Sequence, residues 1–458
     1  MLIDSHAHLT MDKFKEDRSE VLARAHAAGV DTILTVGTDP SEWEGVCALA
    51  RMEGAVEIYA ALGLHPHEAS SWSEALAQSL RTRCAGERVV ALGEIGFDFH
   101  YDHSSAAEQE AAFRAQVRLA KELSLPLVVH SREAEAETMR VLREEGVSGT
   151  GGVIHCFSGS REMARQALEL GLFISFSGTL TFKNAGNLRE IAREIPIEKM
   201  LIETDCPYLA PQPVRGKRNE PAYVRYVAEV LADLKGLTVE DVARITRHNA
   251  RELFSMGSAD TEGKIAYRIR DSLYLNITNR CTNACGFCVR NHSDFVKGHN
   301  LRLDREPGAA DVIRSIGDPK EYREVVFCGY GEPLIRIGLV KEVAAWIHEQ
   351  GGRVRINTNG QGDLIHGRKI VPELSGLVDA FSVSLNTENE EKYRAICRPR
   401  FGSGTYEAVR DFIRQAREIA EVSVTVLDLP DVDVEACMKI ASEELQVGFR
   451  MRYYDEVG

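Results

Sequence analysis

The chain has 458 residues, 44% of them hydrophobic and 27% charged. This is the balance of a globular protein with substantial cores, and it excludes a disordered chain; the length calls for two or three domains, and for two if barrels are present. The formal net charge of -14 excludes a protein that coats nucleic acid through a broad basic surface. It does not exclude a nuclease, because acidic metal ligands add to the same negative count.

The amino terminus, Met1 to His8, runs straight into an apolar strand-like segment without the basic and long apolar regions of a signal peptide. No segment reaches transmembrane length, so a cytoplasmic protein without membrane partners is expected. Three of the ten cysteines fall between Cys281 and Cys288, a spacing suited to a metal cluster rather than to a disulfide framework.

Through residue 258 one unit repeats: a short β-branched apolar run, a polar or glycine-containing turn, then a helical stretch. Eight such runs stand near Leu2–Ser5, Thr32–Val36, Ile58–Leu62, Val89–Leu92, Leu127–Val129, Gly152–Ile154, Phe173–Phe176 and Met200–Ile202. Strand-helix alternation of that number predicts an α/β fold with an eight-stranded TIM-type barrel. The small, polar, helix-breaking stretch Ser255 to Gly263 predicts a boundary between domains at 1–257 and 264–458. Beyond it, Ser272–Thr278, Glu324–Cys328, Arg353–Thr358, Ala380–Leu385 and Ser423–Leu427 read as strands, predicting a partial (β/α)6 barrel of about six strands.

His6 and His8 follow the first run, and alternate residues at a strand end aim at a common point at a barrel's carboxyl-terminal mouth. Alone, such a pair is better read as ordinary core or surface histidine. Glu94, His130, His155 and Asp205 each stand just after a later run. Four imidazoles and two carboxylates exceed the needs of one ion and suit two divalent cations that share a bridging ligand. Mg, Mn and Zn all accept such donors.

The segments Ile3-Asp4-Ser5-His6-Ala7-His8, Gly93-Glu94-Ile95-Gly96-Phe97-Asp98, Val129-His130-Ser131-Arg132, His155-Cys156-Phe157-Ser158-Gly159 and Glu203-Thr204-Asp205-Cys206-Pro207-Tyr208 resemble the motifs of the TatD family of metal-dependent hydrolases, over residues 1–256. The resemblance implies that His6, His8 and Asp205 hold one ion and His130 and His155 the other, with Glu94 bridging. It further implies catalytic roles for Glu94 and Asp205, with Asp205 taking the proton of the attacking water. The implied activity is hydrolysis of phosphodiester bonds in single-stranded DNA, including exonuclease action from the 3' end. Some relatives are linked instead to removal of D-amino acids from tRNA, so an ester or amide hydrolase is the competing reading. His65, in the family-like Gly63-Leu64-His65-Pro66-His67, either contacts substrate phosphate or orders its loop. Arg132 either clamps a phosphate or pairs with Glu133 or Asp98.

Cys281, Cys285 and Cys288 sit on one tight loop after a strand. Three thiolates leave one iron of a 4Fe-4S cluster free to chelate a small molecule; zinc, with His292 as fourth ligand, is the structural alternative. The spacing, with Phe287 before the last cysteine, resembles the loop of the radical S-adenosylmethionine (SAM) superfamily. Phe327-Cys328-Gly329-Tyr330-Gly331-Glu332-Pro333 is similar to that superfamily's Gly-Gly-Glu-Pro motif, which binds the SAM amino group, with Tyr330 in place of the first glycine. The resemblance implies SAM contacts from Gly331, Glu332, Ser384 and Asn386, reductive cleavage of SAM to a 5'-deoxyadenosyl radical, and a reductant such as flavodoxin or ferredoxin. Cys328 and Cys437 read as structural cysteines. Cys397, in Cys397-Arg398-Pro399-Arg400-Phe401-Gly402, lies either at a substrate entrance or in solvated charge. The whole reads as a bifunctional enzyme, and a version in which one domain only recruits the other to nucleic acid is the reading from a different class.

Overall fold

The computed structural model describes residues 1–257 and 261–453. The chain divides into two compact units, Met1–Ala259 and Asp260–Gly458. Residues 258–260 of the expected connector lie outside the described residues. No helix among the described residues is long and apolar enough to cross a membrane.

In the first unit eight parallel strands follow one another in chain order: β1 (Leu2–Ala7), β2 (Val30–Gly37), β3 (Glu57–Leu62), β4 (Val89–Asp98), β5 (Leu127–Arg132), β6 (Gly152–Ile154), β7 (Phe173–Phe176) and β8 (Met200–Ile202). Closure from β8 back to β1 is made at the carboxyl-terminal rim. There Ala7 bridges Cys206, the His8 N–H donates to the Cys206 carbonyl at 2.8 Å, and the Asp205 N–H donates to the His6 carbonyl at 2.9 Å. Ile3, Leu34, Ala61, Val128, Val153 and Leu201 fill the barrel interior, joined by Ala250 and Phe254 of the helix Val239–Phe254. The alternate residues pack against the surrounding helices in a larger cluster that includes Ile33, Leu62, Val129 and Ile202. This division is what period-two side-chain alternation requires of a filled barrel.

Two strands slip register where they meet the mouth. Against β5, the register of β4 jumps between Gly93 and Ile95, leaving Glu94 as the extra residue, and that of β1 jumps between Asp4 and Ala7 against β2. A bulge re-aims a side chain that regular alternation would bury elsewhere, and both bulges fall on the motif segments holding Glu94 and His6.

The second unit is built on a seven-stranded sheet. Six strands are parallel in chain order: Ser272–Leu275, Glu324–Phe327, Val354–Thr358, Ala380–Ser384, Glu421–Asp428 and Gly448–Tyr453. Ala266–Ile269 adds antiparallel at one edge. The last parallel strand carries two arginines along an alternately exposed face, which hid it from an apolar-run reading. This sheet has its own core, including Leu275, Phe327, Ile356, Phe381, Val424 and Phe412.

Candidate metal centre and cluster site

The bulge at Glu94 turns its carboxylate into the mouth, where its two oxygens face different partners. Oε2 lies 3.4 Å from His6 Nε2 and 3.9 Å from His8 Nε2; Oε1 lies 2.7 Å from His130 Nδ1 and 2.8 Å from His155 Nε2. On the first side Asp205 Oδ1 completes the group, 3.3 Å from His8 Nε2 and 3.9 Å from His6 Nε2. The paired imidazole nitrogens approach within 3.2 Å of each other on both sides. Ligand atoms of His6, His8 and Asp205 all lie within 4.8 Å of one another. All six expected residues therefore converge in two sets that share one carboxylate, and the nitrogen and oxygen donors fit two divalent cations.

The electrostatics follow from burial against mutual attraction. Burial would raise the Glu94 carboxyl, but the imidazoles of His155, His130 and His6 outweigh it and hold the group well below the usual carboxylate range. Burial likewise pushes the Asp205 carboxyl up, and His8 overcomes it and holds the group below its ordinary value. His6 is pushed down by burial and by His155, which keeps its ring neutral.

Three carboxylates that the sequence did not single out support this set. Asp98, fully buried on the same strand as Glu94, has Oδ2 at 3.1 Å from His130 Nε2 and 3.2 Å from His67 Nε2. Glu203 Oε1 lies 3.3 Å from His155 Nδ1 and accepts from the Cys156 N–H at 2.6 Å. Asp4 accepts from the Thr204 N–H at 2.9 Å and its hydroxyl at 2.6 Å, binding the first and last strands together beneath the site. The available signal was membership of the same motif segments: Asp98 stands four residues beyond Glu94, and Glu203 two before Asp205.

His65 orders its loop and also faces the centre. Its Nδ1 accepts from the His67 N–H at 3.2 Å, ordering the turn Pro66–Ser71, while Nε2 faces Glu94 Oε1 at 3.6 Å. Burial pushes its pKa down to about 4. Arg132 pairs with neither expected carboxylate: Glu133 holds His100 at 2.7 Å, Asp98 holds the two histidines, and the guanidinium lies over the Tyr101 ring.

In the second unit, Cys281, Cys285 and Cys288 are free thiols on a loop held from two sides. The Ala284 and Gly286 N–H groups donate to the carbonyls of Cys397 and Ile396, at 3.1 and 3.2 Å. Asn359 Nδ2 donates to Thr282 Oγ1 at 2.8 Å, and Gln361 Nε2 to Asn283 Oδ1 at 2.6 Å. Among the described residues no set of donors close enough for a single ion includes these thiols or His292. Three thiols on one braced loop suit an iron-sulfur group that keeps one iron open.

The residues expected to contact SAM are placed unevenly. Glu332 is buried, and its carboxylate accepts from the Leu334 N–H at 3.0 Å, the Thr358 hydroxyl at 2.8 Å and the Asn359 N–H at 2.7 Å. Gly331 is needed for close approach, since a Cβ there would collide with the carbonyls of Thr278 and Arg280. Ser384 ends its strand half-buried, whereas Asn386, at φ 65°, points Nδ2 toward the buried thiol of Cys397 at 3.5 Å. Cys397 ends the helix Glu390–Cys397 and is fully buried, so it lies neither in solvated charge nor on an open rim. Cys437 is buried and Cys328 half-buried. Tyr330, in the place of a glycine, packs with Tyr267 and Leu301, and its hydroxyl donates to Asp294 Oδ1 at 2.5 Å. It thereby anchors the segment that follows the cysteine loop.

An eight-stranded parallel barrel with shared carboxylate and imidazole donors at its carboxyl-terminal rim defines a metal-dependent hydrolase. Residues 3–255 match the family model of the TatD related DNases, and the chain belongs to that family; residues 275–442 match that of the radical SAM superfamily. The first unit is 45% identical over 254 residues to the uncharacterized metal-dependent hydrolase YabD of Bacillus subtilis, covering 56% of this chain and 99% of that protein. It is 38% identical over 260 residues to the 3'-5' ssDNA/RNA exonuclease TatD of Klebsiella pneumoniae, covering 56% of this chain and 98% of that protein. The crystal structure of YjjV, a TatD homologue of Escherichia coli, superimposes with a TM-score of 0.53 at 32% identity, covering 56% of this chain and 98% of that one.

Proposed function

We propose that the first unit hydrolyses phosphodiester bonds of single-stranded nucleic acid from the 3' end, and that the second is a radical SAM enzyme acting on a separate, unidentified substrate. The observation that carries the first reading is Glu94: its two oxygens face two donor sets, His6, His8 and Asp205 on one side and His130 and His155 on the other. Two divalent cations held there would supply Lewis-acid polarisation of a phosphodiester. The residues of the chain do the rest. Asp205, kept ionised beside His8, accepts the proton of the attacking water. His65 accepts the His67 N–H at Nδ1, so its neutral ring carries its proton on Nε2, which faces the centre and is available to a substrate oxygen.

In the second unit Cys281, Cys285 and Cys288 would hold a 4Fe-4S cluster, which supplies the electron for reductive cleavage of SAM. Gly331, Glu332, Ser384 and Asn386 would line the SAM site. A flavodoxin- or ferredoxin-type protein serves as reductant.

The full chain loaded with Mn2+ is expected to shorten a 5'-labelled single-stranded oligonucleotide stepwise, and Glu94→Ala to lower kcat/KM at least a thousandfold. Release of amino acid from aminoacyl-tRNA with no oligonucleotide cleavage would replace the nuclease reading with that of a deacylase. For the second unit, anaerobically reconstituted and reduced protein is expected to convert SAM to 5'-deoxyadenosine. Equal production by Cys285→Ala would defeat the assignment.

A further inference from the structure

The rim of the hydrolase barrel carries two exposed tyrosines, each beneath a cation. Tyr208, 43% exposed, stands edge-on to His8 with ring centroids 6.2 Å apart, and Lys13 Nζ lies 5.1 Å from its ring centre. Tyr101, 47% exposed, stands edge-on to His67 at 5.5 Å, and the Arg132 guanidinium lies 5.2 Å from its ring centre. The other exposed large apolar side chains of this unit, Met1 and Met52, precede β1 and β3 and so lie toward the opposite end of the barrel.

Topology sets the two tyrosines apart. Lys13 and Tyr208 follow β1 and β8, which are neighbours at the closure; Tyr101 and Arg132 stand at the ends of β4 and β5. In a closed ring of eight strands these two pairs are diametrically opposed, with the donors of the metal centre between them. The cations are also unclaimed: among the described residues neither Lys13 nor Arg132 has an ion-pair partner, because Asp17 is taken by Arg218 and Arg24, and Glu133 by His100. A half-open aromatic ring beside an unpaired cation is the combination that receives an unpaired base and its phosphate.

We infer that Tyr208 and Tyr101 are stacking platforms for two unpaired nucleobases, one on each side of the phosphate at the metal centre, with whichever of Lys13 and Arg132 lies on the 5' flank taking the next phosphate. The inference rests on the nuclease reading and adds the residues that hold a base on each flank of the cleaved bond. Because the platforms act on bases and not on the diester, they set the preference for polynucleotide over a simple phosphodiester.

The test compares kcat/KM of the full-length, Mn2+-loaded protein for a single-stranded oligonucleotide and for methyl 4-nitrophenyl phosphate, which has no base. In Tyr208→Ala and in Tyr101→Ala the ratio of the two is expected to fall about tenfold, the usual worth of one base-aromatic stack, and to be restored in the Tyr→Phe variants. An independent readout is the fluorescence of 2-aminopurine placed in the oligonucleotide, measured with Ca2+ in place of Mn2+. Quenching on binding to the wild type, relieved in the matching Ala variant, supports stacking. A ratio left unchanged in both Ala variants, or 2-aminopurine quenched equally by wild type and variants, overturns the platforms while leaving the nuclease reading intact. Wild-type protein that hydrolyses the small diester but not the oligonucleotide overturns the nuclease reading and the platforms with it.

Discussion

At the scale of single residues, the carboxylates behind the metal centre matter as much as those within it. Asp98 fixes His130 by holding its Nε2 at 3.1 Å, which leaves Nδ1 turned to Glu94. Partners of this kind typically contribute ten- to a hundredfold in metal affinity or activity. Asp98→Asn, which can still contact the ring but carries no charge, is therefore expected to weaken Mn2+ binding about tenfold; competition with a chromogenic chelator measures this, and unchanged affinity would show that His130 is fixed by other means. A second residue with a marked environment is Glu332, whose pKa burial pushes up to about 7, against the pull of its three hydrogen-bond donors. Its folded value lies above the ordinary one, so its protonated form adds stability that is present below about pH 4.5 and lost as pH rises through 7. The loss is on the order of 3 kcal/mol across that window. The stability of the wild type relative to Glu332→Gln, followed by denaturant unfolding from pH 5 to 8, is expected to decline by this amount, and a flat difference would show that the carboxylate is already ionised. The six ligand-type residues were legible because each is a chemically distinctive side chain directly after an apolar run. Asp98 and Glu203 lie in the same motif segments, but nothing in the side chain itself distinguishes a supporting carboxylate from an ordinary one.

At the scale of elements, the apolar runs located all eight barrel strands but not their irregularities. Regular alternation gives no reason for Glu94 to aim differently from its neighbours; the register slip against β5 does that, and it depends on pairing with a strand more than thirty residues away. The slip also brings β4 so close to β5 that a Cβ at Gly96, where φ is 141°, would collide with the His130 carbonyl. Gly96→Ala is accordingly expected to destabilise the unit by about 2–4 kcal/mol, read from the urea midpoint, and to weaken metal binding through displacement of His130. A stable Gly96→Ala protein with normal metal affinity would show that the strand ends are not constrained in this way. In the second unit the edge strands Ala266–Ile269 and Gly448–Tyr453 escaped the sequence reading, since an edge strand is half solvated and lacks the continuous apolar run of a buried parallel strand. The Tyr330 departure from the SAM motif had no interpretation in sequence because its partners, Tyr267, Leu301 and Asp294, are distant in the chain.

At the scale of the whole molecule, each unit owns a complete hydrophobic core, and each site draws its side chains from one unit alone. Ligand binding therefore stabilises the unit that contains the ligand's site, by an amount set by mass action on that unit's unfolding. Metal present at a hundred times its Kd contributes about 2.7 kcal/mol, which for a unit of this size raises its midpoint by roughly 5–10 °C. Scanning calorimetry of the full chain is expected to show two transitions, of which Mn2+ raises one and EDTA lowers the same one, while Cys285→Ala leaves that transition in place. Glu94→Ala should make the metal-sensitive transition insensitive, because without the shared carboxylate neither donor set keeps its full complement. A single transition that moves as a whole with Mn2+ would show instead that the units unfold together, and that occupancy of the hydrolase centre bears directly on the stability of the cluster-bearing unit.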